Sequence, residues 1–400
     1  MTDNATSVAG SSNSPLHLAI IRQAYNPFGG AERFVERAIR ALGQDHVKVT
    51  LITRKWEGGD NPGLTIKLLS TPRISRLLRD VMFARSVRSL IQTRIFDLVQ
   101  SHERIPGCDI FRAGDGIHAT WLEQRARTLG PIGRFLQRIS PWHRYVLSME
   151  KEMLEDPKLK AVICNSEMVR QDIAHRYPEL ASRLHVIHNG VDLKTFHTGL
   201  RAKHREIIRE QLDVPECTPV IVFVGSGFER KGVAQLIEAL ARPELRNAQL
   251  WIIGKDKLTR RLERKADALG VGPQVRFMGP KKDVTPYLGA ADVFALPTLY
   301  DPMPNAALEA LAAGLPVLSS TSSGAAELIR LGENGERVDA LDIDGIATAL
   351  ARLIAISQDP EQQPAMAVSA RASVAHMSKE TMAAELVALY RQLLTVNRKL

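Results

Sequence analysis

The chain has 400 residues, of which 44% are hydrophobic and 24% are charged, and its formal net charge is +9. That length corresponds to about two or three domains with real hydrophobic cores, and the mixed composition excludes a disordered or fibrous chain. The 3 cysteines fall in no Cys-x-x-Cys or Cys/His ligand spacing. This argues against a disulfide framework or a zinc knuckle and favours a reducing compartment.

The N-terminal segment, residues 1–15, is small and polar and has neither a basic n-region nor an apolar h-region. It predicts a disordered segment rather than a standard signal peptide. No window approaches the roughly 20 apolar residues that a membrane-spanning helix needs. We therefore expect a cytoplasmic protein that is not integral to the membrane.

The first half of the chain alternates short apolar runs with amphipathic segments. It opens with an apolar run at 16–21, a loop containing Gly29 and Gly30, and an amphipathic stretch at 31–42. Further apolar or β-branched runs follow at 47–53, 97–101, 108–112, 161–165 and 184–188. Helical patterns separate most of them, so the alternation predicts a parallel sheet covered by helices on both faces.

The same alternation restarts after a polar, charged stretch at 194–213. Strand patterns lie at 220–224, 250–253, 275–278, 293–296 and 317–319, and helical patterns at 233–241, 258–269, 306–313, 343–356 and 381–394. The sequence thus predicts an α/β protein of two doubly wound, Rossmann-like domains, 16–195 and 196–380. Residues 381–400 are expected to pack back on the first domain. A ligand would bind in the cleft between the facing domains.

A glycine-containing turn, Gly225-Ser226-Gly227-Phe228-Glu229-Arg230-Lys231-Gly232, lies between a predicted strand and helix. Backbone N–H groups at such a turn, the helix N-terminus and two cations can together hold a diphosphate without a metal. The alternative is a tight turn with two exposed cations. The segment matches neither the P-loop nor the dinucleotide-binding fingerprint, which disfavours an NAD-dependent enzyme.

Two carboxylates eight residues apart follow the predicted strand at 293–296. Asp301 precedes a predicted helix and Glu309 lies within it, with Pro304 just inside the helix start. A loop and a helix can bring both acids to one cleft, but such a pair alone is common by chance.

A third candidate segment, Gly114-Asp115-Gly116-Ile117-His118, follows the predicted strand at 108–112. The flanking glycines and the strand-end position favour a functional role for Asp115 and His118. A purely structural hydrogen bond is the equal alternative for each side chain.

These segments together resemble the retaining GT-B glycosyltransferases of glycosyltransferase family 4. The motifs that carry the resemblance are Gly29-Gly30, Asn189-Gly190-Val191-Asp192, Arg230-Lys231-Gly232, the acid-x7-Glu pair, and Gly314-Leu315-Pro316-Val317. The match covers about residues 16–395. A narrower similarity, to the lipopolysaccharide core α-1,3-glucosyltransferases, rests on Pro27-Phe28-Gly29-Gly30, Trp56-Glu57-Gly58, Pro106-Gly107-Cys108-Asp109-Ile110, Ala113-Gly114-Asp115 and Arg230-Lys231-Gly232-Val233.

On the donor side, the resemblance implies that Arg230 and Lys231 neutralise the leaving diphosphate and that Glu309 binds the nucleotide ribose. Asp301 stands where the family has Glu and would contact the donor sugar, which leaves the identity of the hexose open. The other residues that it assigns to donor binding are Gly29, Gly30, Gly225, Asn305 and Ala306. No other cofactor is implied.

On the acceptor side, Asp115 matches an acid thought to act on the acceptor, and His118 would orient the donor sugar or a substrate hydroxyl. The resemblance implies transfer of glucose from UDP-glucose to a lipid-linked or lipopolysaccharide-core sugar. The alternative is a GT-B mannosyl- or other hexosyltransferase of surface polysaccharide synthesis.

Two further segments are candidates for parts of the site. Ser323-Gly324-Ala325-Ala326-Glu327 can supply backbone donors at a helix start, with Glu327 structural or helix-capping. Asp342-Ile343-Asp344 matches a metal-binding DxD motif, but acids at a predicted helix start are explained by the helix dipole. We therefore expect no metal site.

The positive charge is concentrated in the first half. Residues 73–144 contain 13 arginines, no lysine and 6 acidic residues. Within 121–149, arginines alternate with apolar and aromatic residues, which suits peripheral contact with an anionic inner membrane leaflet. The alternative is an ordinary core helix with a charged face. A nucleic-acid-binding protein is disfavoured because no RNA- or DNA-binding motif is present.

Overall fold

The computed structural model describes residues 16–25, 47–56, 64–71, 75–93 and 95–397. The N-terminal segment 1–15, the helix predicted at 31–42, and Gly29 and Gly30, expected to approach the donor, lie outside these residues. Among the described residues, no helix combines the length and apolar character of a membrane-spanning segment.

The first sheet is parallel and has the order β5-β3-β1-β6-β7-β8-β9. Its strands are β1 (Leu16–Ile21), β3 (Val47–Thr53), β5 (Leu64–Leu68), β6 (Leu98–Ser101), β7 (Ile110–Arg112), β8 (Ala161–Cys164) and β9 (Leu184–Val186). A separate pair joins β2 (Ala24–Tyr25) and β4 (Lys55–Trp56). Strand order reverses between β1 and β6, so a crevice opens at their carboxyl ends.

Helices α1 to α5 belong to the first domain. Their bounds are α1 (Arg76–Gln92), α2 (His118–Ala126), α3 (Pro131–Ile139), α4 (Pro141–Leu154) and α5 (Glu167–Arg176). Pro131 and Pro141 each occupy a first helical position, where the missing N–H costs no hydrogen bond. Gly133 lies inside α3.

The second sheet is parallel with the order β12-β11-β10-β13-β14-β15. Its strands are β10 (Val220–Val224), β11 (Gln249–Ile253), β12 (Val275–Gly279), β13 (Val293–Leu296), β14 (Val317–Ser320) and β15 (Gly335–Val338). Here the order reverses between β10 and β13. The Gly225 turn follows β10 and the Asp301 loop follows β13, so the topology brings the two donor-side segments to one crevice.

The remaining helices are α6 (Leu200–Gln211), α7 (Val233–Leu240), α8 (Thr259–Ala268), α9 (Thr285–Ala290), α10 (Asn305–Ala312), α11 (Ile343–Gln358), α12 (Gln363–Ser373) and α13 (Lys379–Asn397). The polar stretch at 194–213, for which no helix was predicted, contains α6. Arg209 of this helix is 2% exposed and donates to Asp292 at 2.7 Å, just before β13. A buried ion pair therefore joins the stretch to the second domain.

The C-terminal helix α13 leaves the second domain and packs on the first sheet. Leu386 and Tyr390 share a buried cluster with Ile20 and Leu51 of its central strands. The Tyr390 hydroxyl donates to Gln100 at 2.6 Å, which satisfies both groups away from solvent. The chain thus crosses between the domains twice, before α6 and at α13.

Candidate active site in the interdomain cleft

The turn after β10 positions the two predicted diphosphate ligands. A Cβ atom added at Gly225 would lie 3.1 Å from both Cδ and Nζ of Lys231, so the glycine leaves room for this side chain over the turn. The Lys231 N–H donates to the Gly227 carbonyl at 3.0 Å. The ammonium group is therefore held at the carboxyl end of the central strand.

Arg230 and Lys231 converge on Asp301, which the sequence places 70 residues away. Oδ2 of Asp301 lies 3.5 Å from Arg230 Nη2 and 3.6 Å from Lys231 Nζ. Arg230 also donates to the Tyr300 carbonyl at 3.1 Å. Two cations facing one carboxylate leave one positive charge in excess, and their separation from it is too long for tight hydrogen bonds. The cluster can therefore bind an added anion.

Asp301 is fixed by backbone hydrogen bonds to the loop after β14. Its N–H donates to Ser322 at 3.2 Å, and its carbonyl accepts from Gly324 at 2.9 Å. The Ser323-Gly324 segment thus lies beside the loop that carries Asp301 and holds this loop in place.

Helix α10 starts directly after the loop that carries Asp301, and it contains Asn305, Ala306 and Glu309. Pro304 occupies the N-cap position, one residue before the expected place inside the helix. Asn189 at the end of the first domain donates to Asn305 Oδ1 at 2.9 Å and to the Met303 carbonyl at 3.1 Å. The helix start is therefore attached to the interdomain crossing.

The loop after β7 faces this cluster from the first domain. The Asp115 side chain is 71% exposed, and its Oδ2 lies 4.0 Å from Arg22 Nη1. His118 is buried, and its Nε2 lies 3.0 Å from His143 Nδ1. Burial, followed by the charge of Arg104, lowers the pKa of His118 to about 3. His118 is therefore neutral at physiological pH and acts as a hydrogen-bonding group rather than as an acid.

Two residues that the sequence did not single out hold this loop. Glu150 is 2% exposed and accepts from the His118 N–H at 2.7 Å and from Arg104 Nε at 2.6 Å. Arg104 in turn donates to the Gly116 carbonyl at 2.8 Å. No motif marks this pair, because its partners lie in the loop after β6 and in α4.

Tyr300 is a further residue that the sequence pattern did not single out, and it joins the two domains across the cleft. Its hydroxyl accepts from the Ile117 N–H at 2.9 Å, and the side chain is 3% exposed. A Cβ atom at Gly116 would lie 2.2 Å from this hydroxyl, so the close approach requires glycine. The only sequence signal is its position beside Asp301.

Glu327 has the capping role expected for it, but it caps a helix of the other domain. Its Oε2 accepts from the Glu167 N–H at 2.8 Å at the start of α5, and its Oε1 lies 2.8 Å from His188 Nε2. Carboxylates are favoured at helix N-termini by the orphan N–H groups and the dipole. This contact is a further link between the two domains.

The DxD segment at the start of α11 makes structural contacts. Asp342 is the N-cap and accepts from the Gly345 N–H at 2.9 Å, while Asp344 accepts from Arg242 Nε at 2.6 Å. Across the described ranges, no three His, Cys, Asp or Glu side chains cluster as metal ligands.

A cavity of about 480 Å³ lies between the walls. Asp115 and His118 line it from the first domain, and Arg230 and Tyr300 line it from the second. A ligand on Arg230 and Lys231 would therefore meet a second ligand in the cavity. A bisubstrate transfer site has this geometry.

The chain belongs to the GT-B glycosyltransferases of glycosyltransferase family 4 type. The Glycosyltransferase Family 4 model matches residues 28–195, and the Glycosyl transferases group 1 model matches residues 204–371. The fold class expected from the sequence is thereby confirmed, with its two facing Rossmann-like domains.

Particular relatives act in lipopolysaccharide synthesis. The chain is 30% identical over 310 residues to the lipopolysaccharide glucosyltransferase WaaG of Escherichia coli K12, covering 76% of this chain and 80% of the relative. It is 41% identical over 147 residues to the lipopolysaccharide core biosynthesis glycosyltransferase LpsE of Rhizobium meliloti, covering 37% and 43%. The crystal structure of WaaG matches with a TM-score of 0.79 at 25% identity, covering 93% of this chain and 99% of that one. These matches confirm that the chain is a glycosyltransferase.

Proposed function

We propose that the chain transfers glucose from UDP-glucose to a sugar of the lipopolysaccharide core, with retention of the anomeric configuration. The observation that carries the proposal is the convergence of Arg230, Lys231 and Asp301 at the carboxyl ends of β10 and β13. The naming of WaaG as a glucosyltransferase supports the choice of hexose.

The chemical step breaks the bond between the anomeric carbon and the β-phosphate oxygen. The diphosphate leaves with the electron pair, and Arg230 and Lys231 stabilise the charge that develops on it. The acceptor oxygen bonds to the anomeric carbon from the same face, and its proton passes to the departing phosphate oxygen. This route needs no strong protein base, which agrees with an exposed Asp115 and a neutral His118.

Asp301 and Glu309 divide the remaining donor contacts in this proposal. Asp301 is buried beside both cations and would accept hydrogen bonds from donor-sugar hydroxyls. Glu309, within α10, would accept from the vicinal ribose hydroxyls. Asp is one methylene shorter than Glu, so the hexose must approach the acid loop more closely or be bound through a shifted loop.

The reaction is proposed to proceed without a metal ion. Two side-chain cations face the diphosphate position, so the protein itself supplies the charge that a divalent ion supplies in other transferases. Turnover that persists in excess chelator supports this point. Turnover that is lost in chelator and restored by Mg²⁺ or Mn²⁺ contradicts it.

The test of donor identity is a calorimetric titration of the full chain with UDP-, GDP- and ADP-glucose, followed by UDP-galactose and GDP-mannose. UDP-glucose is expected to bind most tightly, and Lys231→Ala to weaken it. Preferential binding of GDP-mannose instead favours a mannosyltransferase. If no nucleotide sugar binds, the proposal is wrong.

We extend the proposal to peripheral attachment at the inner face of the cytoplasmic membrane. Helix α3 exposes Ile132 (77%), Phe135 (61%), Leu136 (56%) and Ile139 (47%), whose spacing puts them on one face. Arg134 and Arg138 lie on the same helix. An apolar stripe flanked by arginines suits an anionic bilayer, to which each basic residue adds roughly 1 kcal/mol.

Co-sedimentation with vesicles of anionic lipid at low salt tests this attachment. Phe135→Ser with Leu136→Ser is expected to release the protein from the vesicles. Leu331→Ser with Val368→Ser removes two exposed apolar side chains from the second domain and serves as the matched control. Equal binding of both double variants contradicts attachment through α3.

A further inference from the structure

The first-domain wall of the cavity is rich in arginine. Among the residues that the structure describes, five arginines and three acids line the cavity on this side, namely Arg22, Arg54, Arg76, Arg79, Arg104, Asp80, Glu103 and Asp115. Arg230, which we assign to the donor diphosphate, lies at the second-domain side. This first-domain side of the cavity is the acceptor wall. Its described residues carry an excess of positive charge that the donor phosphates, bound on the opposite side, do not neutralise.

The acids of the wall are largely engaged by other partners. Asp80 Oδ1 lies 3.2 Å from Arg79 Nε, and Asp80 Oδ2 accepts from Trp142 Nε1 at 2.9 Å. Glu103 accepts from the Gln23 N–H at 2.9 Å, and burial raises its pKa. The Asp80 carboxylate also faces Arg54 and Arg76. One carboxylate is therefore shared among three guanidinium groups and cannot neutralise all of them.

Two arginines of the wall are left without a carboxylate partner. Within the described part of the chain, no carboxylate lies within ion-pair distance of Arg54 or Arg76. The buried Nε of Arg54 has no hydrogen-bond partner. The Arg76 guanidinium lies 3.5 Å from the centre of the Trp142 ring, which holds its planar group in place. The buried, unpartnered Nε of Arg54 is costly unless a ligand satisfies it.

The start of helix α1 adds positive charge to the same wall of the cavity. Arg76 and Arg79 lie in its first turn, which contains no acidic residue. Cations at this end are disfavoured by the helix dipole, so the arrangement is locally unfavourable without an anion. Positions that break a local rule in this way are typical of functional sites.

We infer that Arg54 and Arg76 form a subsite for an oxyanion carried by the acceptor, a phosphate monoester or a sugar carboxylate. The subsite rests on the proposed function, because it places the acceptor in the cavity beside Asp115 and opposite Arg230. Guanidinium groups match both oxyanions through paired N–H donors. The enzyme thus selects an anionic acceptor sugar over a neutral one.

The experiment titrates the full chain, saturated with UDP, with three probes: glucose, glucose 6-phosphate and glucuronate. Saturation with UDP keeps the probes from the diphosphate position. At least one anionic sugar is expected to bind about tenfold or more tighter than glucose, as charged hydrogen bonds imply. Tighter binding of glucose 6-phosphate identifies a phosphate subsite, and tighter binding of glucuronate a carboxylate subsite.

Substitutions test whether Arg54 and Arg76 cause the preference for anionic sugars. Arg54→Gln with Arg76→Gln is expected to reduce the preference to about twofold or less, while Arg54→Lys, which keeps the charge, retains most of it. Arg260→Gln with Arg261→Gln removes the same charge from the exposed face of α8 and should leave the preference intact. Circular dichroism and UDP affinity report whether each variant is folded.

Two results overturn the inference: no anionic sugar binds better than glucose, or the preference survives in the Arg54/Arg76 variant. Failure of the proposed function is separate, because it appears as absent UDP binding in the unaltered chain. In that case the same titrations without UDP still decide the anion subsite.

Discussion

The two walls of the cleft present their cations in differently organised arrangements. On the donor wall, adjacent Arg230 and Lys231 share one carboxylate, and two loops in one crevice supply all three groups. On the acceptor wall, the arginines come from the ends of β1 and β3, the start of α1 and the loop after β6. A diphosphate site built on a strand-to-helix turn is local in sequence. An acceptor site is assembled from distant segments.

The largest effect is expected for Lys231→Ala on the donor wall. Removing one of two cations from the leaving diphosphate should lower kcat by about 10²- to 10³-fold, by analogy with loss of a transition-state donor. The measurement is turnover with UDP-glucose, with thermal unfolding as the fold check. Lys257→Ala, an exposed lysine of the same domain, is the control, and equal rates for both variants remove the diphosphate role.

The second largest effect is expected for loss of Glu150, the buried acid that holds the loop after β7. Glu150→Gln weakens a buried ion pair with Arg104, and such changes cost about 3 kcal/mol or more. Urea unfolding should show this loss. Glu152→Gln, which breaks an exposed pair with Arg88 two residues away, should cost less than about 1 kcal/mol. Similar losses for the two variants contradict the assigned role of Glu150.

Glu309→Ala tests the ribose assignment on the donor wall. The affinity for UDP should fall by about tenfold or more, as expected for loss of hydrogen bonds to a charged acceptor. Calorimetry measures the affinity, and the free energy of unfolding reports any structural cost. Unchanged UDP binding would assign the ribose contact elsewhere.

The neutral His118 gives a pH prediction for the acceptor wall. Its folded-state pKa of about 3 lies below the ordinary value of 6.5, so unfolding takes up a proton as the pH falls below 6.5. Its contribution to stability is present above pH 6.5 and is lost towards pH 3, by up to about 1 kcal/mol per pH unit.

Urea titrations between pH 7.5 and about pH 5 compare the unaltered chain with His118→Gln. The unaltered chain should lose stability more steeply, while His197→Gln, at an exposed site, should follow the unaltered chain. Parallel slopes for all three proteins contradict a buried neutral His118.

The smallest effect is expected at the DxD segment. Asp344→Asn removes an exposed ion pair with Arg242, so activity should stay within about twofold and stability within about 1 kcal/mol. A large loss of turnover, or a metal dependence abolished by this variant, would transfer the diphosphate role from the Arg230-Lys231 pair to a metal site.

Much of the fold was predictable because parallel strands buried on both faces form short apolar runs. Strand β5 is edge-placed and half-exposed, so its pattern is weak and it was missed. No helix was predicted for α6 because most of its residues are polar or charged. Its burial depends on the Arg209–Asp292 pair, whose partners are 83 residues apart.

The candidate site divides in the same way. Arg230, Lys231, Asp301 and Asp115 could be singled out as candidates because glycines and acids at strand ends carry a local pattern. Tyr300 and Glu150 were missed because their roles arise from contacts across the cleft and between remote elements. No local spacing encodes such contacts.

By itself, the sequence determined the two-domain α/β architecture, the turn that presents two cations and the family to which the chain belongs. Periodicity and glycine placement are local properties that suffice for the architecture and the turn, whereas the family follows from the resemblance of short motifs. Only the tertiary structure decided which arginines share a cavity and which lack a carboxylate partner. Charge compensation depends on distances between side chains, and those distances are set by strand order and packing rather than by position along the chain.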